Sequence, residues 1–228
     1  MKIYYIHHSC FLIETTENYY LFDYYKGVLP SLNPHKPIWV FSSHFHGDHY
    51  NPNIFSLLKE QKMEQIHAVL SKDISSKQCP IDIPVTTVTH NQIYSLSPNI
   101  TLETLLSTDE GVAFLLTCSH GTIYHAGDLN DWVWEEETEQ YNKQMTGSYR
   151  HEILKLKNRE IDLAFLVLDP RQDKDYARGI TYFLDHIRTK RVFPMHYWEQ
   201  PEIISKFKQE YAQYANLIES TEDYLPNT

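Results

Sequence analysis

Cysteine is scarce in this chain. Cys10, Cys79 and Cys118 are the only three, and they stand singly and in odd number, so neither a disulfide framework nor a CxxC zinc ribbon is available. Positive charge is also short: 20 Lys plus Arg face 30 Asp plus Glu, a formal charge of −10. That disfavours a nonspecific nucleic-acid binder, which needs a cationic surface. No run of about 18 apolar residues occurs, so no membrane span is expected. The first ten residues hold one Lys and then polar and His residues, which is not the pattern of a secretory leader. A reduced, cytoplasmic protein is the simplest expectation. There is no Gly/Ser linker, low-complexity stretch or repeat of 20 to 50 residues. A single core can grow to about 250 residues before chains split, so residues 1–228 are expected to form one domain.

What is present suits a packed interior: 42% hydrophobic residues and 14% aromatics, 17 of them Tyr. Histidine is in excess, 13 against only 7 glycines. As it is the commonest side-chain metal ligand, the question is whether these histidines cluster.

Short runs rich in Ile, Tyr, Phe, Leu and Val at 2–6, 11–14, 19–22 and 38–42 read as strands of a β-meander. Pro52 and the spacing of Ile54, Leu57 and Leu58 predict a helix over 53–60. Strands resume at 68–70, 86–88, 101–106, 112–117 and 122–125. The second half alternates: a helix near 149–156, a strand at 163–168, a helix near 180–187, a strand at 191–194 and a helix from 201 to about 214. A β-rich half joined to βαβα elements fits a layered α/β architecture.

The densest chemical signal is Phe41-Ser-Ser-His44-Phe-His46-Gly-Asp48-His49-Tyr-Asn-Pro52. A strand delivers the chain to it and a helix follows, so four ligand-type side chains share one loop between rigid elements. Alternation puts His44 and His46 on one side of an extended segment, and Asp48 and His49 follow through the Gly47 turn. One such loop could serve two divalent ions, His44 and His46 on one, Asp48 and His49 on the other.

This H-x-H-x-D-H arrangement resembles the metallo-β-lactamase superfamily, in particular its compact branch of ascorbate-phosphate-lactonase-like metal-dependent hydrolases. The resemblance implies a four-layer αββα sandwich, two mixed sheets flanked by helices. It also implies that Asp23 in LFDYY holds the metal loop from behind, that Asp128 in HAGD bridges both metals, and that His196 in PMHYW completes the second site. One position departs from the pattern. Where the family usually places a third histidine of the first site, the chain reads Leu106-Ser-Thr-Asp109-Glu-Gly. Asp109 is the best replacement, with His90 as the alternative, and an oxygen ligand shifts preference toward Mn or Fe without excluding Zn.

Further residues carry two readings each. His7 and His8 match an N-terminal segment in which a histidine can face the active-site mouth, or they simply end a strand. His125 supports the strand before Asp128 rather than binding metal. Trp132 and Trp134 wall the metals or pack beneath their loop. Arg171 binds a substrate anion or pairs with Asp169 or Asp173. The run 134–139, rich in Glu, reads as a solvated face.

The expected activity is hydrolysis of an ester, lactone or phosphodiester bond in a small, anionic molecule, by a hydroxide bound between two divalent metal ions, Zn first and Mn or Fe as alternatives. Asp48 would orient that hydroxide. The leaving-group acid stays open among Tyr197, His7, His8 and metal-bound water. A nuclease of the same superfamily is disfavoured by the acidic charge. A non-catalytic metal-binding or sensor protein is the alternative suggested by the missing histidine. No nucleic-acid or membrane partner is expected, and homo-oligomerisation is left open.

Overall fold

In the computed structural model, which describes residues 1–226, the chain divides into two compact units. Each is built on one mixed six-stranded sheet. The α/β class with two mixed sheets is therefore as expected.

The first unit comprises Met1–Thr89 together with residues 221–226. Its strands β1 (Lys2–His7), β2 (Cys10–Glu14), β3 (Tyr19–Phe22), β4 (Ile38–Ser42), β5 (Ile66–Ser71) and β6 (Val85–Val88) lie in sequence order. The expected meander holds only for β1 to β3, which pair antiparallel. From β3 onward the pairing is parallel. The long 23–37 connection brings the chain back to the starting edge, something a short hairpin turn cannot do. Every residue of β3 and β4 is buried. Helix α1 (Asn53–Glu60) has the predicted bounds, begins after Pro52 at its N-cap and buries Ile54, Phe55 and Leu58. These three share a core with Leu12, Leu21 and Val40. The sequence β4–loop–α1–β5 is thus a βαβ unit, with the histidine-rich loop at the carboxyl end of a parallel strand, the edge where open α/β sheets place their ligands.

The second unit, His90–Ser220, orders its strands β12-β11-β10-β9-β8-β7. Strands β7 (Ile93–Ser97), β8 (Ile100–Leu106), β9 (Val112–Cys118) and β10 (Gly121–His125) form an antiparallel meander. β10, β11 (Glu160–Val167) and β12 (Arg188–Met195) are parallel. Their crossovers carry α2 (Glu139–Leu154) and α3 (Arg178–His186), and α4 (Glu202–Glu210) follows β12. Strand β7 was not foreseen, because none of its residues is buried and its sequence has no core-facing signature. Helix α2 starts about ten residues before the sequence suggests. Thr138 caps it, its Oγ1 accepting from the Tyr141 N–H, and Glu139 lies in the first turn; part of the acidic run is thus a helix start. Helix α4 ends at Glu210, and a separate 3-10 turn, Ala212–Tyr214, follows. Among the described residues, no helix is long and apolar enough to cross a membrane.

Candidate metal centre

In the first unit the loop after β4 is fixed from below by Asp23. This residue leaves β3 with φ +46 and is fully buried, a left-handed conformation that Asp tolerates better than most residues. Its carboxylate accepts from the Ser43 N–H (2.7 Å), the Ser43 hydroxyl (2.7 Å) and His49 Nδ1 (2.8 Å). The Ser43 Oγ in turn lies 3.0 Å from His44 Nδ1. A carboxylate only accepts, so His49 carries its proton on Nδ1. Because the Ser43 hydroxyl spends its own proton on Asp23, its contact with His44 makes Nδ1 the donor there too. Both imidazoles therefore keep the basic lone pair on Nε2, the tautomer a metal requires. The loop is closed by His49 N–H and Tyr50 N–H, both donating to the His46 carbonyl at 3.0 Å.

His44 and His46 each offer a ligand atom within 4.8 Å of the other's, and His8, Asp48 and His49 form a second such group. His44 and His49 are fully buried, while the Asp48 carboxyl is 30% exposed. Of the two N-terminal histidines, His8 joins this group, with φ +54 and 1% exposure. His7 instead meets the Tyr25 ring edge-on, centroids 5.2 Å apart.

The second unit repeats the device. Asp128 follows β10 in a turn to which His125 contributes, its Nδ1 accepting from the Gly127 N–H at 3.1 Å; this is the supporting role the sequence suggested. The Trp132 indole N–H donates to the Asp128 carbonyl (2.8 Å) and its ring meets His196 at 5.7 Å, so Trp132 packs the loop and also faces the histidine. Nδ1 of His196, a residue with φ +66, donates to Asp169 at 2.9 Å, and its Nε2 lies 3.2 Å from Asp128 Oδ1. Arg171 clamps Asp169 through Nε and Nη2 and lies over the Trp198 ring at 4.7 Å. The pairing of Arg171 with Asp169, one of the two sequence alternatives, is thus present. Burial alone would raise the Asp169 pKa, but hydrogen bonds from His196 and Arg171 outweigh it and bring it down to about 2.

Asp109 sits in an exposed turn where its N–H donates to Ser107 Oγ (3.2 Å), and it offers a ligand atom within 4.8 Å of one from Asp128. His90 lies elsewhere, its Nδ1 3.2 Å from the Asn91 amide. Asp109, Asp128, Trp132, Arg171 and His196 line a cleft of about 130 Å³ together with Thr108, Trp134, Tyr141 and Met145. Tyr197 is 2% exposed and is not among the lining residues. Sequence reasoning missed Ser43 and the Asp169–His196 bond. The second depends on β11 and β12 lying side by side, which no local pattern announces.

The family described as the beta-lactamase superfamily domain matches residues 2–144. The chain belongs to the metallo-β-lactamase superfamily. Similar solved structures of this fold include a candidate metal-dependent hydrolase from Parabacteroides distasonis, at 16% identity and TM-score 0.65, covering 95% of this chain and 90% of that one. Zn(2+)-bound PqqB from Methylobacterium extorquens is similar at 12% identity and TM-score 0.57, covering 92% and 82% of the two chains. CmlA, a diiron β-hydroxylase from Streptomyces venezuelae, is similar at 10% identity and TM-score 0.61, covering 95% of this chain and 52% of its own. No curated protein sequence matches the chain significantly.

Proposed function

We propose that this metallo-β-lactamase superfamily member is a hydrolase that uses two divalent metal ions to cleave an ester, lactone or phosphodiester bond in a small anionic molecule. Its proposed ligands are His44, His46, Asp48 and His49 on the loop after β4 and, taken separately within the second unit, Asp109, Asp128 and His196. The observation that carries the reading is the anchoring of His44, His49 and His196 through Nδ1. In each case the proton is held on the far side of the ring, and the donor set of imidazole Nε2 and carboxylate oxygen suits Zn, Mn or Fe. The structural relatives favour no single metal, since one holds zinc and another a diiron centre.

When bound, the ions would supply Lewis-acid activation of water and of the scissile group. The chain's own part is positioning and proton handling. Asp48, partly exposed beside His49 and His8, orients the attacking water and accepts its proton. Asp23 and Asp169 keep the imidazoles aligned and basic. The Trp132–Trp134 wall, with rings parallel within 5°, excludes water from one side of the cleft. Burial of Tyr197 favours water over the phenol as leaving-group acid. The acidic charge supports a small substrate rather than a polynucleotide.

The test is turnover on a panel of lactone, phosphodiester and thioester substrates, with Asp48→Ala as the key variant. The reading expects a folded variant without turnover and loss of activity on chelation. Full turnover after chelation contradicts it.

A further inference from the structure

His8 lies outside the H-x-H-x-D-H loop, yet its geometry is that of a ligand. It follows β1, is 1% exposed and is held at φ +54, a conformation uncommon for any residue with a Cβ. Its N–H is fixed by the Tyr5 hydroxyl at 2.9 Å, which sets the direction in which the imidazole leaves the strand. Nε2 then stands 3.6 Å from Asp48 Oδ2, while His49 Nε2 stands 3.9 Å from the same oxygen. Both separations exceed the 2.7–3.2 Å of a good hydrogen bond. They are close to the roughly 3.4 Å that separates two ligands bound at about 2.1 Å to one tetrahedral ion. The His8 and His49 rings meet edge-on with centroids 5.8 Å apart, so neither ring blocks the space the other faces. Three donors of the right type thus converge on one point from two segments, the β1–β2 turn and the metal loop.

We propose that His8 is a direct ligand of the ion held by Asp48 and His49, adding an imidazole from the N-terminal strand to that site. The assignment rests on the reading of Asp48 and His49 as ligands. The left-handed turn after β1 carries the imidazole inward beside Asp48 and His49 rather than out to solvent, as a ligand role requires.

The test uses full-length protein stripped and reloaded with Co²⁺, comparing wild type with His8→Asn, His8→Ala and Asp48→Ala. Asn tolerates the left-handed conformation, so a thermal melt of the metal-free His8→Asn variant checks that its fold is retained. Two readouts are taken, the affinity for each ion by chelator competition and the paramagnetically shifted imidazole N–H resonances in ¹H NMR. The proposal expects His8→Asn and His8→Ala to weaken one ion at least about tenfold, leave the other unchanged and lose one shifted N–H signal. Wild-type affinity and an unchanged set of signals in both His8 variants, with one ion lost in Asp48→Ala, overturn the His8 assignment alone. Two ions retained in Asp48→Ala, or none bound by wild type, overturn the reading beneath it as well.

Discussion

Two buried carboxylates organise the histidines at the residue scale. Asp23 serves His49 directly and His44 through Ser43, and Asp169 serves His196. Replacing such a partner typically costs 10- to 100-fold in metal affinity. Asp23→Asn and Asp169→Asn are each expected to lose about that much in chelator competition, with the fold retained. Asp169 adds a pH dependence. Its folded pKa of about 2 lies below the ordinary carboxylate value, because the bonds from His196 and Arg171 outweigh burial. Its contribution of roughly 2 kcal/mol is therefore complete above about pH 4 and lost as pH falls through 2. Acid denaturation of metal-free wild type and Asp169→Asn should show stabilities that converge between pH 4 and 2; parallel curves would refute this. The metal loop was legible in the sequence because its ligands are near neighbours. Asp169 was not, since its bond to His196 spans 27 residues and depends on β11 and β12 lying side by side.

Elements with strong apolar periodicity were predicted well. Strand β4 and helix α1 have the bounds the sequence indicates, whereas α2 was recovered only at its C-terminal end. Its first two turns, EQYNKQMT, bury little, so no core-facing face announces them, and the helix is instead set by its cap. Thr138→Ala should accordingly cost about 1 kcal/mol in chemical denaturation. Helix α3 is constrained more tightly. A Cβ at Gly179 would collide with the Asn130 amide oxygen, and Asn130 bonds Gln172 (2.8 Å) and Thr108 (2.6 Å) to tie the loop after Asp128 in place. Gly179→Ala is expected to destabilise by about 1–3 kcal/mol and to weaken metal binding with it. A variant as stable as wild type would show that α3 does not brace this loop.

For the whole molecule, the scarcities of the sequence set the boundary conditions. Without disulfides, stability depends on burial and, on the proposed reading, on bound ions. Ion concentrations 100-fold above the dissociation constant should stabilise the folded chain by about 2.7 kcal/mol per site, visible as a higher Tm that falls on chelation. The α/β class could be anticipated because the short β runs, the helix after Pro52 and the alternating second half each had a local signature, whereas the two mixed sheets were implied only by the family resemblance. The switch from antiparallel to parallel pairing at β4 had none, since it depends on where a long connection returns the chain. The formal charge of −10 also reads differently once Asp48, Asp109 and Asp128 are assigned to ions. A divalent cation held by any of these carboxylates would offset part of that negative charge and make its surroundings locally attractive to a small anion.

The central claim, a two-ion centre built from these side chains, is tested most directly by metal stoichiometry from elemental analysis of protein stripped and reloaded with Zn²⁺. The account predicts two ions per chain for wild type and one for each of His44→Ala and His196→Ala. No tightly held zinc in wild type, or two ions retained in both variants, would contradict it.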